Sequence, residues 1–197
     1  MGRGPQRAIH VLALAFCLLL VDAPRAANAD GSWLDGAAAP WNSAGISVPA
    51  ASPPPSTFDP RCLEQQRPPE TAEDNVVAGA GWMLIGEYES GWGVRVILGA
   101  SHFDGMCRPL GYQYLVFADG LFAGTVSPST MDSRSDGAAS RPSIQGPSRI
   151  SLVFARYRES DPLCCPSRQT IADYRIDRDG AGPLLTLTSV FTNPTGA

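Results

Sequence analysis

Cys164 and Cys165 stand side by side in Asp161-Pro-Leu-Cys-Cys-Pro-Ser167, with Cys62 and Cys107 upstream of them. Sulfur placed this way offers redox catalysis, metal ligation or cross-linking. A redox pair needs a lowered thiol pKa, but the spacing is not Cys-x-x-Cys and Arg168 is the only nearby cation. Zinc needs ligands spread over a tetrahedron, which adjacent cysteines do not supply, and His102 would have to come from elsewhere. Cross-linking is the chemistry that an exported chain favours. Bonding 164 to 165 closes a strained eight-membered ring and is disfavoured. Two arrangements stay open: 62–164 with 107–165, or 62–165 with 107–164. Either ties the start and middle of the domain to its C-terminal third, at about 4 kcal/mol of chain entropy per bond.

Carboxylates are the next candidates. Asp132-Ser-Arg-Ser-Asp136-Gly137 has the outline of a calcium loop, but Arg134 stands where a ligand is needed and no glutamate closes it. An Asp/Arg salt-bridged loop with Gly137 at a turn is the expectation. Glu87 with Glu89, or Glu159 with Asp161, are spaced as paired acids of a hydrolase, although acids two apart share a strand face in many inert proteins. His102 has Ser101 too close in sequence to form a triad with it, and no Gly-x-Ser-x-Gly elbow exists. Trp92, Arg108 and Arg134, with Asp132 and Asp136, form a candidate binding loop for sugar or peptide, because aromatic faces and guanidinium forks recognise both. Trp82 and Tyr112 read as core instead.

These residues need a scaffold, and the chain divides as 1–29, 30–60, 61–192 and 193–197. The first part reads as a cleavable leader: Arg3 and Arg7, an apolar run from Ala8 to Val21, then Ala27-Asn-Ala29. The run is too short for a membrane span. Cys17 follows Phe16, where a lipoprotein signal wants a small residue, so lipid anchoring is not expected. Residues 30–60 are rich in Ala, Pro and Ser and read as a tether, or as an arm lying on the domain through Trp41. Seven strands follow, in the stretches 76–85, 94–98, 112–118, 121–126, 149–157, 170–176 and 184–190. Asp119-Gly120 between two of them is a two-residue hairpin turn, which puts Leu115, Phe117, Phe122 and Val126 on one core face. Residues 128–148 read as one long loop. Thr71-Ala-Glu-Asp74 is a capping box with no periodic helix behind it. The expected fold class is mainly β: a single antiparallel sheet of about seven strands, curled, sandwiched or barrel-like, with little helix.

Composition narrows the partners. The chain carries a net charge of −4 over 197 residues and has no lysine. With no basic cluster, nucleic acid is excluded as a partner, and no polybasic stretch holds an anionic membrane surface. Schiff-base chemistry is absent with lysine. No cofactor or metal is expected.

Four stretches together resemble the LppP/LprE lipoprotein family of bacterial envelope proteins. They are His102-Phe-Asp-Gly-Met-Cys107-Arg-Pro-Leu110, Leu115-Val-Phe-Ala-Asp-Gly-Leu-Phe-Ala-Gly-Thr125, Met131-Asp-Ser-Arg-Ser-Asp-Gly137, and Phe154-Ala-Arg-Tyr157 continuing to Asp161-Pro-Leu-Cys-Cys-Pro166. The resemblance spans about residues 62 to 176. It implies a small exported β-rich domain at the cell envelope with no catalytic residues to carry across. The expected function is that of a noncatalytic structural or interaction protein, secreted or envelope-associated, with an envelope glycan, peptide or protein as partner. The alternatives are a glycan or peptide binding module and a hydrolase using the loop carboxylates.

Overall fold

The computed structural model describes residues 1–2, 32–36, 39–54, 59–162 and 164–195. Apart from residues 1–2, the expected leader and Cys17 lie outside the described residues. Among the described residues, no helix is long and apolar enough to cross a membrane.

Thr71 caps a helix, α1 (Ala72–Gly79), by accepting the Asp74 amide on its hydroxyl. The expected strand over 76–85 is therefore mostly helix and turn, shortened to β1 (Met83–Leu84). Gly81, at φ +92°, turns the chain between the two. Three strands then follow: β2 (Glu89–Gly91), β3 (Val94–Ala100) and β4 (His102–Phe103). After them come β5 (Pro109–Leu110), β6 (Gln113–Ala118) and β7 (Leu121–Thr125). Strands β1 and β2 share one edge of β3, and β3, β6 and β7 follow in order, all antiparallel. The β4–β5 pair is a separate two-stranded ribbon.

The second sheet is a meander of β10 (Arg149–Arg156), β11 (Arg168–Asp177) and β12 (Leu184–Pro194). Two short strands, β8 (Ala138–Ala139) and β9 (Ser143–Ile144), add to the free edge of β10. They lie inside the stretch expected to be one long loop. The fold is mainly β and antiparallel, but it is not a single sheet. Residues 126–137 carry the chain from one sheet to the other, so the later strands pair with β10 and not with β7.

The two sheets bury one core between them. Val94, Val96, Tyr114, Val116 and Ala118 from the first meet Ile150, Leu152, Phe154, Tyr174 and Leu185 from the second. The other face of the first sheet holds Ile97, Leu115 and Phe117 under α1 residue Val77 and under Trp82, with Val48 and Ala51 of the N-terminal segment against them. Strand β6 is thus buried on both faces, which is why Gln113-Tyr-Leu-Val-Phe-Ala118 lacks the alternation of a half-exposed strand.

The Asp119-Gly120 hairpin pairs Ala118 with Leu121 and Phe117 with Phe122, as its turn chemistry requires. The register then shifts between Phe117 and Val116, with Ala123 as the extra residue of β7, so Val116 faces Gly124, Leu115 faces Thr125 and Val126 joins the inter-sheet core. Val126 is accordingly not on the face of Leu115 and Phe117. A β-bulge flips every residue beyond it to the opposite face.

The described part of 30–60 lies on the domain. Leu34 is buried, and Trp33 meets Trp41 and Phe154 edge-on at centroid distances of 5.7 and 6.1 Å. The indole of Trp82 donates to the carbonyl of Pro49 at 2.8 Å. Asn42 does the most. Its side chain accepts the Thr125 amide at 2.9 Å and donates to the carbonyls of Thr125 and Leu185 at 2.9 and 3.1 Å. One amide side chain therefore joins the edges of β7 and β12, which do not pair with each other.

Candidate functional site

The Met131–Gly137 loop begins where Met131 and Tyr112 exchange two backbone hydrogen bonds of 2.8 Å. Asp132 accepts the Gly111 amide at 2.9 Å. Asp136 accepts the Asp132 amide at 3.0 Å on one oxygen and the Ser32 hydroxyl at 2.8 Å on the other. Gly137 sits at φ +100°, and a Cβ there would lie 2.5 Å from the carbonyl oxygen of Ala155. Both carboxylates thus serve the loop's own backbone and its neighbours. Arg134 turns away from them, stacks over the Tyr157 ring at 4.5 Å and donates to the carbonyl of Asp161 at 3.2 Å. The expected Asp/Arg salt bridge is replaced by Asp-to-amide capping, because the carboxylate oxygens are already engaged.

Beneath the loop, Arg156 is only 2% exposed and donates to Asp35 at 2.6 Å and to Thr170 at 3.3 Å. A buried guanidinium is tolerable only with such partners. Asp161 accepts the amides of Arg158 and Ser167 at 2.7 and 2.9 Å and the Ser167 hydroxyl at 2.8 Å. The Arg158 amide, followed by the Ser167 bonds, holds its carboxyl below the ordinary value. Asp161 therefore fastens the two ends of the loop that carries Cys164 and Cys165.

The cysteines pair as Cys62–Cys107, with Cα atoms 4.9 Å apart, and as Cys164–Cys165. Both cross-domain arrangements expected from the sequence are overturned. Cys62 is buried in a 3-10 helix (Pro60–Gln65) packed on the loop between β4 and β5, whereas Cys164 and Cys165 are exposed on the 158–167 loop. Arg108, next to Cys107, is held by Asp104, which accepts its backbone amide at 2.9 Å and its guanidinium at 2.6 Å. Burial raises the Asp104 carboxyl, but these bonds outweigh burial and leave it below the ordinary value. His102 and Ser101 are 2.9 Å apart side chain to side chain.

Arg108, Asp132, Arg134 and Asp136 are therefore gathered around one end of the sheets. Trp92 is not. It occupies the two-residue turn between β2 and β3, at φ +56° and 69% exposed. Strand β3 separates it from Gly111 and Asp132 by about 20 Å at ~3.3 Å per residue. Trp82 and Tyr112 are buried, and burial lifts the Tyr112 hydroxyl well above its ordinary value. Glu87 and Glu89 both pair with Arg141.

Sequence reasoning missed two features. One is a cleft of about 280 Å³ between the β2 and β9 edges, floored by Ile85, Val96, Leu98 and Tyr114 with Glu87 and Arg141 at its mouth. Its Tyr114 hydroxyl is pushed up to about 12 by burial. The cleft arises from residues far apart in the chain, and no local pattern marks it. The other is Leu121, 59% exposed beside the Asp119-Gly120 turn. Its position next to a two-residue hairpin turn is the sequence signal that could have marked it.

Among the described residues, no three His, Cys, Asp or Glu side chains are grouped so as to hold a metal ion. No curated protein and no solved structure matches the chain. Residues 89–179, which run from β2 past the end of β11 and include Cys107, the 131–137 loop and the vicinal cysteines, match a family model. That model describes the LppP/LprE lipoprotein family, to which the chain is similar over this segment.

Proposed function

We propose that the chain is exported by a cleaved leader and acts at the cell envelope as a noncatalytic interaction domain. The family match points to the envelope and names no molecular activity. The observation that carries the noncatalytic reading is the engagement of the carboxylates best placed for chemistry. Asp132, Asp136 and Asp161 each accept backbone amides at 2.7–3.0 Å, and Asp132 and Asp136 hold one loop in shape. A carboxylate that anchors a scaffold in this way is poorly placed to exchange protons with a substrate. Rigid loops on a two-sheet scaffold suit recognition instead.

The test is expression in a bacterial host, followed by cell fractionation and mass determination of the product. The expected product lies outside the cytoplasm and begins at Asp30. A chain retained in the cytoplasm with residues 1–29 attached overturns the reading. So does a hydrolase screen in which activity is present and disappears in Asp132→Asn or Asp136→Asn, provided those variants melt like the parent.

A further inference from the structure

Strand β12 is an edge of the second sheet, and among the described residues it pairs only with β11. A bulge divides it. Asp173 lies opposite Ser189 and Tyr174 opposite Leu187, with Thr188 as the extra residue. Before the bulge the Leu185 carbonyl turns off the sheet, and Asn42 donates to it at 3.1 Å. Beyond the bulge the outward groups follow from the ladder. The Thr195 amide donates to the Ser167 carbonyl, and on the far side of β10 the Ser140 amide donates to the Val153 carbonyl. Successive residues of a strand turn their backbone groups to alternate neighbours. Both bonds therefore set the same phase. Phe191 and Asn193 face β11, while the N–H and C=O groups of Val190 and Thr192 point off the sheet. Thr170 and Thr192 are accordingly a non-hydrogen-bonded pair with close side chains, their hydroxyls 2.8 Å apart.

Sheet edges are ordinarily blunted by a charge, a proline or a covering segment. Leu184–Asn193 holds no charged residue and no proline, and Pro194 stands only at its end. Pro194 lies opposite Arg168 in the outward-turning phase, so its missing N–H ends the usable edge. Phe191 is 62% exposed here. It completes a cross-strand row on the outer face, with Val153 opposite Ile171 and Ile171 opposite Phe191.

We propose that the outer half of β12 pairs with the same half of a second copy of this chain, antiparallel about a two-fold axis at Phe191. Val190 then lies opposite Thr192 of the second copy, and each such pair exchanges both N–H···O bonds. Between them Phe191 faces its own copy in the non-hydrogen-bonded position, where side chains approach most closely and aromatic pairs stabilise a sheet. Outward amides and carbonyls in this spacing are matched by an extended strand. Two observations select a copy of the chain as its source. The segment is uncharged, so two chains of net charge −4 meet without like charges across the pairing. The register is also self-matching, because Val190 and Thr192 supply both sides of both pairs and the exposed Phe191 is covered by itself. Asn42 occupies the edge before the bulge, so the contact closes as a dimer and does not extend into a filament. The contact is short and the dimer correspondingly weak. It does not depend on where in the cell the chain acts.

The experiment is sedimentation equilibrium of the full chain from about 5 µM to about 500 µM, which brackets a weak interface. Wild type is expected to rise from the mass of one chain towards that of two. Thr192→Pro removes an outward N–H, and Phe191→Lys sets like charges across the axis. Each is expected to weaken association by about tenfold or more. Leu121→Asp removes an apolar side chain 59% exposed on the first sheet and is expected to dimerise like wild type. Oxidation reads the register. Phe191→Cys is expected to give a covalent dimer on non-reducing electrophoresis, because residues facing each other in this position lie within disulfide reach. Ser189→Cys, opposite Asn193 of the second copy, is expected to give none. A monomer at every concentration overturns the proposal, and so does a dimer that Thr192→Pro and Phe191→Lys leave intact. Equal cross-linking by the two cysteine variants overturns it as well, as does a monomer that takes up a foreign extended peptide at β12.

Discussion

The two seams where the sheets meet are closed by different means. At the β7/β12 seam, Asn42 bonds to both edges, and Trp41 donates to the same Thr125 carbonyl at 3.0 Å. At the β2/β9 seam, the exposed Arg141 reaches Glu87 at 3.1 Å and also pairs with Glu89, leaving the cleft above Tyr114 open. The first closure is a neutral amide serving backbone groups at the two strand edges. The second is an ion pair in water. A buried backbone donor left unpaired costs the full desolvation of that group, whereas an exposed ion pair is screened. Stability should therefore follow the amide, and ligand access should follow the ion pair.

The largest effect is expected behind the open seam. Asp74 is fully buried and pairs with Arg67 at 2.6 Å, and Arg67 also donates to the carbonyl of Gly86 on the cleft wall at 2.6 Å. Asp74→Ala strands that guanidinium and is expected to lower stability by about 3–5 kcal/mol, measured by denaturant unfolding. The same pair sets an acid limit. Burial raises the Asp74 carboxyl, but Arg67, the Glu70 amide and Thr71 outweigh burial and hold it below the ordinary value. Its contribution is thus complete above the unfolded carboxylate value and is lost as pH falls through the lower, folded value. Melting temperatures from pH 6 down to pH 2 should show that loss in wild type and less of it in Asp74→Asn.

Next comes the sealed seam. Gly124 lies at φ +142°, and a Cβ there would sit 2.4 Å from the Asn42 amide carbon. Gly124→Ala both strains the bulge and expels Asn42, at about 3 kcal/mol together. Asn42→Ala alone leaves the Thr125 amide and the Leu185 carbonyl without that partner and is expected to cost about 2 kcal/mol. Arg141→Ala marks the small end of the series, within about 0.5 kcal/mol. If calorimetry gives Arg141→Ala and Asn42→Ala equal losses, the distinction between the seams fails.

What could be read from the sequence follows the range of the interactions. The Asp119-Gly120 hairpin is legible because its two residues adopt the turn by themselves. Its far end is not, because the bulge at Ala123 and the bare Gly124 beside it accommodate Asn42, more than eighty residues away in sequence. The capping box at Thr71 announced α1, yet the glycines at 79 and 81 suggested a strand, since propensity does not reveal that they end a helix. Cysteine partners are not legible, because pairing is settled by which loops the sheets bring together. Asp132, Arg134 and Asp136 did prove neighbours, being close in sequence. Grouping Trp92 with them failed because a strand of seven residues stands between.

The vicinal disulfide has one more consequence. Cys164–Cys165 bridges adjacent residues and closes no loop of the chain, whereas Cys62–Cys107 spans 45 positions and has one sulfur in the core. A mild reductant should release two thiols on the surface while the shielded cross-link survives, so half of the sulfhydryls titrate without any loss of compactness. For this molecule, counting free thiols is a poor measure of whether it is folded.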